Sequence, residues 1–206
     1  MNIPSLFRLL PLSAVLLTAC TVTQPPVGTG SANSPLWNAR QQQLQNLGHY
    51  QTRGSFAYLT DEKKVYARFF WQQYTADNYK LLLLSPLGTT ELELLVQPNM
   101  IQLTDNKGKK YFSDNPEELI YQLTHMNIPL DNLKNWIIGL PGNAESFQLD
   151  EKFLLKSVTD DEKGEVWHVT YQGYDISTVP ALPNLLELTQ GKNRIKLKMD
   201  NWTTQE

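Results

Sequence analysis

Apolar and polar side chains alternate along much of the chain from residue 50 onward. Leu92, Leu94 and Val96, for example, alternate with Glu91 and Glu93, which is the period of a half-buried β-strand. Polar turns of a few residues separate many of these segments, and turns that short make the strands they join antiparallel. The pattern predicts ten strands, over residues 50–60, 65–74, 79–84, 91–97, 100–104, 109–112, 152–158, 166–171, 185–189 and 194–201.

Three other segments carry apolar residues at helical spacing. The first helix is predicted to begin at Ser34-Pro35 and to end at Gly48, because serine caps and proline opens helices while glycine ends them. The second follows Asp114, and the third runs from Asp131 to Pro141-Gly142. The predicted fold class is therefore α+β, a large antiparallel sheet with a helical layer on one face. The predicted apolar faces are Leu36, Trp37, Leu44 and Leu47; Leu119, Ile120, Leu123 and Met126; and Leu133, Trp136, Ile137 and Leu140.

Two predicted strands are apolar on both faces. They contain Phe69-Phe70-Trp71 and Leu81-Leu82-Leu83-Leu84. Such strands are covered on both sides or line a cavity. A well-filled core explains the pattern equally well, although a sheet of this many strands that curls far enough encloses more volume than its side chains fill.

An apolar run with one positive charge opens the chain and ends at Cys20. Arg8 precedes a stretch of about a dozen apolar residues, which is typical of a secretory signal peptide and too short to span a membrane. Leu17-Thr18-Ala19, directly before Cys20, resembles the lipobox of bacterial lipoproteins. Residues 1–19 are therefore predicted to be a signal peptide and Cys20 the lipidated first residue of the mature chain. A buried core cysteine is the alternative interpretation.

The composition after Cys20 predicts a tether followed by one domain. Pro, Gly, Ser and Thr dominate residues 20–35, so this segment is predicted to be a flexible tether behind the lipidated N-terminus, and residues 36–206 a single domain. Cleavage removes one of the 18 Lys+Arg and none of the 21 Asp+Glu. The mildly negative balance argues against nucleic acid as a partner. With the one cysteine lipidated, the chain has no disulfide and no thiol-based metal site.

A leucine stands at the centre of a predicted turn. Pro86 and Gly88 mark a turn between two strands, and Leu87 lies between them. An apolar side chain held out at a turn tip is available to enter a membrane or an apolar partner. Leu87 could equally fold back to cover one end of the sheet.

The sequence does not predict an enzyme, a cofactor or a metal site. His49, His125 and His168 are scattered without metal-ligand spacing, and no nucleophile elbow, P-loop or dinucleotide-binding motif is present. The carboxylate cluster Asp160-Asp161-Glu162 is predicted to lie in a solvated turn between residues 160 and 164.

Six stretches, which cover nearly the whole predicted domain, match the pattern of a known family. They are residues 50–58, VYARFFWQQ (65–73), PLGTTELEL (86–94), LTDNKGKKY (103–111), IPLDNLKNWIIGLPG (128–142) and RIKLKMDNW (194–202). Through these stretches the chain resembles the LolB family of outer-membrane lipoprotein receptors. Thr21 follows the cysteine where an aspartate would resemble an inner-membrane retention signal, so outer-membrane sorting is implied.

The resemblance implies an unclosed β-barrel of ten or eleven strands, with a helical lid over an apolar cavity. It implies a receptor, anchored by lipid and facing the periplasm, that accepts client lipoproteins from the carrier LolA. The receptor would insert them into the inner leaflet of the outer membrane without nucleotide, with Leu87 in the insertion loop. We expect a monomer, and a passive binder of a lipid or another apolar molecule is the alternative. From alternation and helical spacing, the candidates for lining the acyl-chain cavity are Phe56, Tyr58, Phe69, Trp71, Leu92, Leu94, Ile101, Leu103, Ile120, Leu123, Trp136 and Ile137.

Overall fold

The structure, a computed structural model, describes residues 32–144, 146–162 and 164–205. The predicted signal peptide, Cys20 and most of the predicted tether lie outside the described residues. The helices are α1 (Pro35–Gln45), α2 (Pro116–Thr124) and α3 (Leu130–Trp136). The strands are β1 (His49–Leu59), β2 (Lys64–Thr75), β3 (Asn78–Leu84), β4 (Thr90–Gln97), β5 (Met100–Asp105), β6 (Lys110–Ser113), β7 (Ser146–Leu149), β8 (Leu155–Glu162), β9 (Glu165–Asp175), β10 (Leu182–Gln190) and β11 (Asn193–Gln205).

The eleven strands form one antiparallel sheet in the order β6-β5-β4-β3-β2-β1-β11-β10-β9-β8-β7. Strands that follow one another in sequence pair with each other, except that β6 and β7 lie at the two edges. At the centre, β1 pairs with β11 and joins the two halves of the sheet. Because β6 and β7 do not pair among the described residues, the sheet is an unclosed barrel. The predicted α+β class and architecture are confirmed.

Strand register places the alternating apolar residues in rows on the concave face. Trp71 in β2 lies opposite Leu81 in β3, and Leu81 lies opposite Leu94 in β4. Leu94 in turn lies opposite Leu103 in β5. All four side chains are at most 5% exposed. Burying each one stabilises the fold by about 1.5–3 kcal/mol before the cost of ordering the chain is counted.

Helix α3 crosses the concave face and contacts both halves of the sheet. Tyr50 in β1 donates its hydroxyl to the carbonyl of Lys134 at 3.3 Å, and Tyr171 in β9 donates to the carbonyl of Trp136 at 3.0 Å. The Trp136 indole, fully buried, donates to the carbonyl of Pro141. Burial raises the pKa of both tyrosine hydroxyls well above the ordinary value. The two hydroxyls therefore remain protonated donors at neutral pH.

Helix α1 is capped as the sequence predicts, but its apolar face is narrower. The side chain of Ser34 accepts from the backbone of Leu36, and Trp37 and Leu44 are buried. Leu36, however, is 64% exposed, and Leu47 follows the end of the helix. The prediction that these two residues belong to the apolar helical face is wrong, because the helix ends at Gln45 and packs only its Trp37–Leu44 side against the core.

Helices α2 and α3 end earlier than the helical spacing suggests. His125 takes a left-handed conformation with φ of 54° and ends α2, so Met126 is not part of that helix. Ile137 caps α3, so Leu140 also lies outside it. Both Met126 and Leu140 are nevertheless buried, because the chain beyond each helix packs back onto the core. The spacing identified Met126 and Leu140 as core residues correctly but placed the helix ends wrongly, and Leu123 of the predicted α2 face is 36% exposed.

Two features of the C-terminal half differ from the prediction. Strand β7 is not among the ten predicted strands; it pairs with β8 and forms an edge of the sheet. Strand β8 continues to Glu162, so Asp160 lies within a strand and is only 6% exposed. Asn132 of α3 donates to the Asp160 carboxylate at 2.7 Å. The prediction that Asp160 is solvated in a turn is therefore wrong.

The outward-facing apolar residues of β2, β3 and β4 lie on the convex face. Phe70 lies opposite Leu82, Leu84 opposite Arg68, and Leu95 opposite Lys80. Phe70, Leu82, Leu84 and Leu95 are all half-buried. Cross-strand neighbours at such positions lie close enough to cover one another, including with the aliphatic stems of Arg and Lys. These outward residues therefore do not line the concave interior, although their strands are apolar on both faces.

Candidate functional site

The turn between β3 and β4 presents Leu87 to solvent. The backbone N–H of Ser85 donates to the Thr89 carbonyl at 2.8 Å, and that of Gly88 donates to the Ser85 carbonyl at 2.9 Å. The hydroxyls of Ser85 and Thr89 lie 2.6 Å apart and form a further hydrogen bond. Gly88 has φ of 88°, a conformation that other residues rarely adopt. This closed turn leaves the Leu87 side chain 94% exposed, so it does not cover the end of the sheet.

An apolar cavity of about 610 Å³ lies beside this turn, within the size range of small-molecule pockets. Its floor is the concave face of β2 to β5, its roof is the C-terminal end of α2, and Ser85 and Pro86 at the base of the Leu87 turn form part of its wall. Charged groups, among them Lys63, Glu91 and Asp105, also line it. Its apolar and aromatic lining is Val65, Tyr66, Ala67, Leu83, Pro86, Leu92, Leu103, Tyr111, Leu123 and Met126.

The predicted cavity residues occupy four different environments. Leu92, Leu103 and Leu123 line the 610 Å³ cavity. Tyr58 borders a separate polar groove, and Ile101 is partly buried against the core. The remaining seven line neither the cavity nor the groove: Phe56, Phe69, Trp71, Leu94, Ile120, Trp136 and Ile137. They are at most 4% exposed and belong to the packed core, as do the equally buried Tyr58, Leu92 and Leu103.

Sequence reasoning missed several residues that line the cavity. Leu83 lies opposite Leu92 in the neighbouring strand. Val65 lies four residues before Phe69 in β2 and therefore on the same, concave face. Both lie in predicted strands and have the right period. The alternation therefore predicts that both side chains face inward. Which of the inward-facing residues line the cavity depends on how close they lie to α2, and the sequence does not give that distance.

The β5–β6 turn forms the cavity wall near Leu92 and is organised by Asp105. The backbone N–H groups of Lys107 and Lys109 each donate to Asp105 Oδ1 at 2.9 Å, and the Tyr111 hydroxyl donates to Oδ2 at 3.1 Å. Desolvation raises the pKa of Asp105, but these bonds lower it by more. The contribution to stability is thus present above the pKa of an unfolded aspartate and is lost as pH falls through the lowered folded value.

The described ranges contain neither a metal cluster nor a candidate membrane span. In residues 32–144, 146–162 and 164–205, no three His, Cys, Asp or Glu residues are grouped so that they could hold a metal ion. In the same ranges, no helix is both long and apolar enough to cross a bilayer.

Comparisons with crystal structures show the same fold at low sequence identity. A LolA superfamily protein from Nitrosomonas europaea aligns over 80% of this chain and 93% of its own, with a TM-score of 0.53 and 10% identity. A putative outer membrane lipoprotein-sorting protein domain from Vibrio parahaemolyticus covers 82% of this chain and 91% of its own, with a TM-score of 0.52 and 11% identity. At such identities the likeness concerns the fold alone.

Sequence comparisons identify the family. The model of the family described as "Outer membrane lipoprotein LolB" matches residues 48–202. The outer-membrane lipoprotein LolB of Photorhabdus laumondii is 71% identical over 201 residues, covering 97% of this chain and 96% of that protein. The protein of the same name from Serratia proteamaculans is 58% identical over 199 residues, with 97% and 96% covered. With these sequence matches along nearly its full length, the chain belongs to the LolB family of outer-membrane lipoproteins.

Proposed function

We propose that this protein is the receptor that takes lipoproteins from the periplasmic carrier LolA and inserts them into the inner leaflet of the outer membrane. Family membership supports a role in lipoprotein localisation. The observation that carries the finer proposal is the position of Leu87, almost fully exposed at a closed turn whose base forms part of an apolar cavity. The arrangement couples a place for acyl chains to a side chain that can enter a bilayer.

The proposed activity is a transfer between apolar environments. Moving an acyl chain from an apolar environment into water costs about 0.8 kcal/mol of free energy for each CH₂ group. Several chains therefore cannot pass through free solution at a useful rate. The chains therefore move directly from the carrier to this protein and then to the bilayer. No nucleotide is needed if each acceptor binds the chains more tightly than its donor.

Leu87 suits a transient membrane contact. Burying one leucine side chain is worth about 2 kcal/mol, which is too little for permanent insertion. It is enough to increase the time that the cavity mouth spends at the membrane surface. Because Pro86 lines the cavity, entry of Leu87 into the bilayer would bring the cavity wall to the lipid.

Cys20 completes the proposal as the lipid anchor. Mass spectrometry of the protein purified from membranes is expected to show a chain that begins at Cys20 and carries acyl chains. A Cys20→Ala variant is expected to lack them. A mature N-terminus at another residue, or an unmodified Cys20, would contradict the anchor.

A transfer assay tests the proposal directly. Mixing a LolA–lipoprotein complex with this protein is expected to move the lipoprotein onto this protein without nucleotide, as measured by affinity pull-down. Liposomes added next are expected to take up the lipoprotein in a flotation assay. A lipoprotein that stays on LolA contradicts the receptor function.

A passive lipid binder is the second candidate function. A cavity of about 610 Å³ would suit a single apolar molecule. In this case the protein takes up free fatty acid or phospholipid but receives nothing from the LolA complex. The transfer assay therefore separates the two functions.

A further inference from the structure

A polar groove of about 850 Å³ adjoins the apolar cavity at the same end of the sheet. Three segments form it: the β1–β2 turn, the C-terminal end of α2, and the β10–β11 turn. Lys63 and His125 line both the groove and the cavity, so they form the wall between the two. The groove is lined by Tyr58, Thr60, Asp61, Glu62, Lys63, Tyr121, His125, Asn127, Gln190, Lys192 and Asn193.

The wall between groove and cavity is fixed by hydrogen bonds. The Lys63 ammonium donates to the carbonyl of Thr124 at the end of α2. The backbone N–H of Thr60 donates to the Lys63 carbonyl at 2.8 Å, and that of His125 donates to the Tyr121 carbonyl at 2.8 Å. The wall is therefore a defined boundary between a cavity with a mainly apolar floor and a groove with a mainly polar lining.

One side of the groove carries three side-chain amides in contact. Asn127 donates to the Gln190 carbonyl oxygen at 2.9 Å, and Asn193 donates to the same oxygen at 3.5 Å. A side-chain amide presents both N–H donors and a carbonyl acceptor, as a peptide backbone does. The charges in the groove are of both signs, and Lys192 pairs with Asp61. The lining thus matches a neutral, polar polypeptide better than a strongly charged ligand.

We propose that this groove binds the polypeptide segment that follows the acylated cysteine of a client lipoprotein, while the acyl chains occupy the cavity. The inference rests on the proposed receptor function. A client's acyl chains and polypeptide are covalently joined, so the polypeptide must leave the cavity at one of its borders. The Leu87 turn, the proposed site of membrane contact, borders the cavity at one place, whereas the border at Lys63 and His125 leads into a polar space.

The composition of this chain's own N-terminal segment illustrates the expected ligand. Residues 21–31 contain Thr, Gln, Gly, Ser, Pro and Val and no charged residue. A segment of this kind offers backbone and hydroxyl hydrogen bonds and no charge for Lys or Asp to select. Separate binding of the two parts would allow the acyl chains to move to the bilayer past Leu87 while the polypeptide is still bound.

Two synthetic probes test the groove. One is a triacylated cysteine amide, and the other is the same group followed by a neutral octapeptide of Ser, Thr, Gly and Gln. The octapeptide is expected to tighten binding about tenfold, equivalent to about 1.4 kcal/mol. The double variant Gln190→Ala, Asn193→Ala is expected to lose this difference and to keep the affinity for the cysteine amide. The control variant Gln102→Ala removes a half-buried amide from β5, outside the groove and cavity linings, and is expected to change neither affinity.

Each outcome decides between the two proposals. If both probes bind wild-type protein equally, or if the double variant weakens both probes equally, the groove does not bind the polypeptide. If neither probe binds, the cavity proposal itself is wrong. A photoreactive group at the third residue of the octapeptide supplies a measurement that does not depend on variant folding. Its adducts are expected within residues 58–63 or 190–193, or on Tyr121, His125 or Asn127 of the third groove segment, and adducts elsewhere contradict the groove.

Discussion

The variant Leu87→Glu is expected to accept lipoproteins from LolA at close to the wild-type rate and to deliver them to liposomes about tenfold more slowly or worse. The leucine contributes about 2 kcal/mol on entering an apolar phase, and a carboxylate opposes entry further. Because Leu87 is 94% exposed and the turn hydrogen bonds do not involve its side chain, folding is expected to be unaffected. Pull-down measures acceptance, and liposome flotation measures delivery.

The chain offers a matched control for this variant. Ile176 is 80% exposed in the β9–β10 loop, at the end of the sheet where β1 begins, whereas the Leu87 turn lies at the end where β1 finishes. Ile176→Glu makes the same change of charge and is expected to leave both steps unchanged. A loss of acceptance with normal delivery in Leu87→Glu would assign Leu87 to carrier docking instead. Equal losses in both variants would indicate a general effect of surface charge.

The variant Gly54→Ala is expected to lose about 3 kcal/mol of unfolding free energy or more. A Cβ at Gly54 would lie 1.8 Å from the Lys198 carbonyl oxygen and 2.8 Å from its carbon. These are backbone atoms of β11, and they face an irregularity in the β1–β11 register between Arg53 and Gly54. They cannot retreat without weakening the one pairing that joins the two halves of the sheet.

Urea denaturation followed by circular dichroism measures this loss as a shift of the midpoint. Gly48→Ala is the matched control, because a Cβ there meets no atom within 4 Å. The control is expected to change stability by no more than about 0.5 kcal/mol. Equal midpoints for Gly54→Ala and Gly48→Ala would show that β11 moves away from Gly54 at little cost.

The Gly54→Ala variant also separates loss of stability from loss of transfer activity. Gly54 lies in the middle of β1, outside the linings of both the cavity and the polar groove. Any Gly54→Ala protein that remains folded is therefore expected to transfer lipoproteins normally at low temperature. Its defect would appear on warming, as loss of the folded population.

Strands and turns were predictable because their signals are local. The alternation of Leu92, Leu94 and Val96 needs only neighbouring residues, and Gly88 marks the turn by its own backbone preference. The sequence does not predict strand β7, because its four residues are too few to show an alternating pattern. The strand is defined instead by its antiparallel pairing with β8. Asp160 was misplaced because its partner, Asn132, belongs to a distant helix.

The features of the candidate site also fall into those that local sequence predicts and those that depend on tertiary contacts. By itself, the sequence determined the strand periods and the position of Leu87 at the centre of a turn, since each depends on the chemistry of a few adjacent residues. Tertiary structure alone decided that Leu87 points outward, that Leu92 and Leu103 border a cavity which the equally buried Leu94 does not reach, and that a polar groove adjoins the cavity. Those properties depend on the register between strands and on where α2 and α3 cross the sheet. Both are set by contacts between residues that lie far apart in the chain.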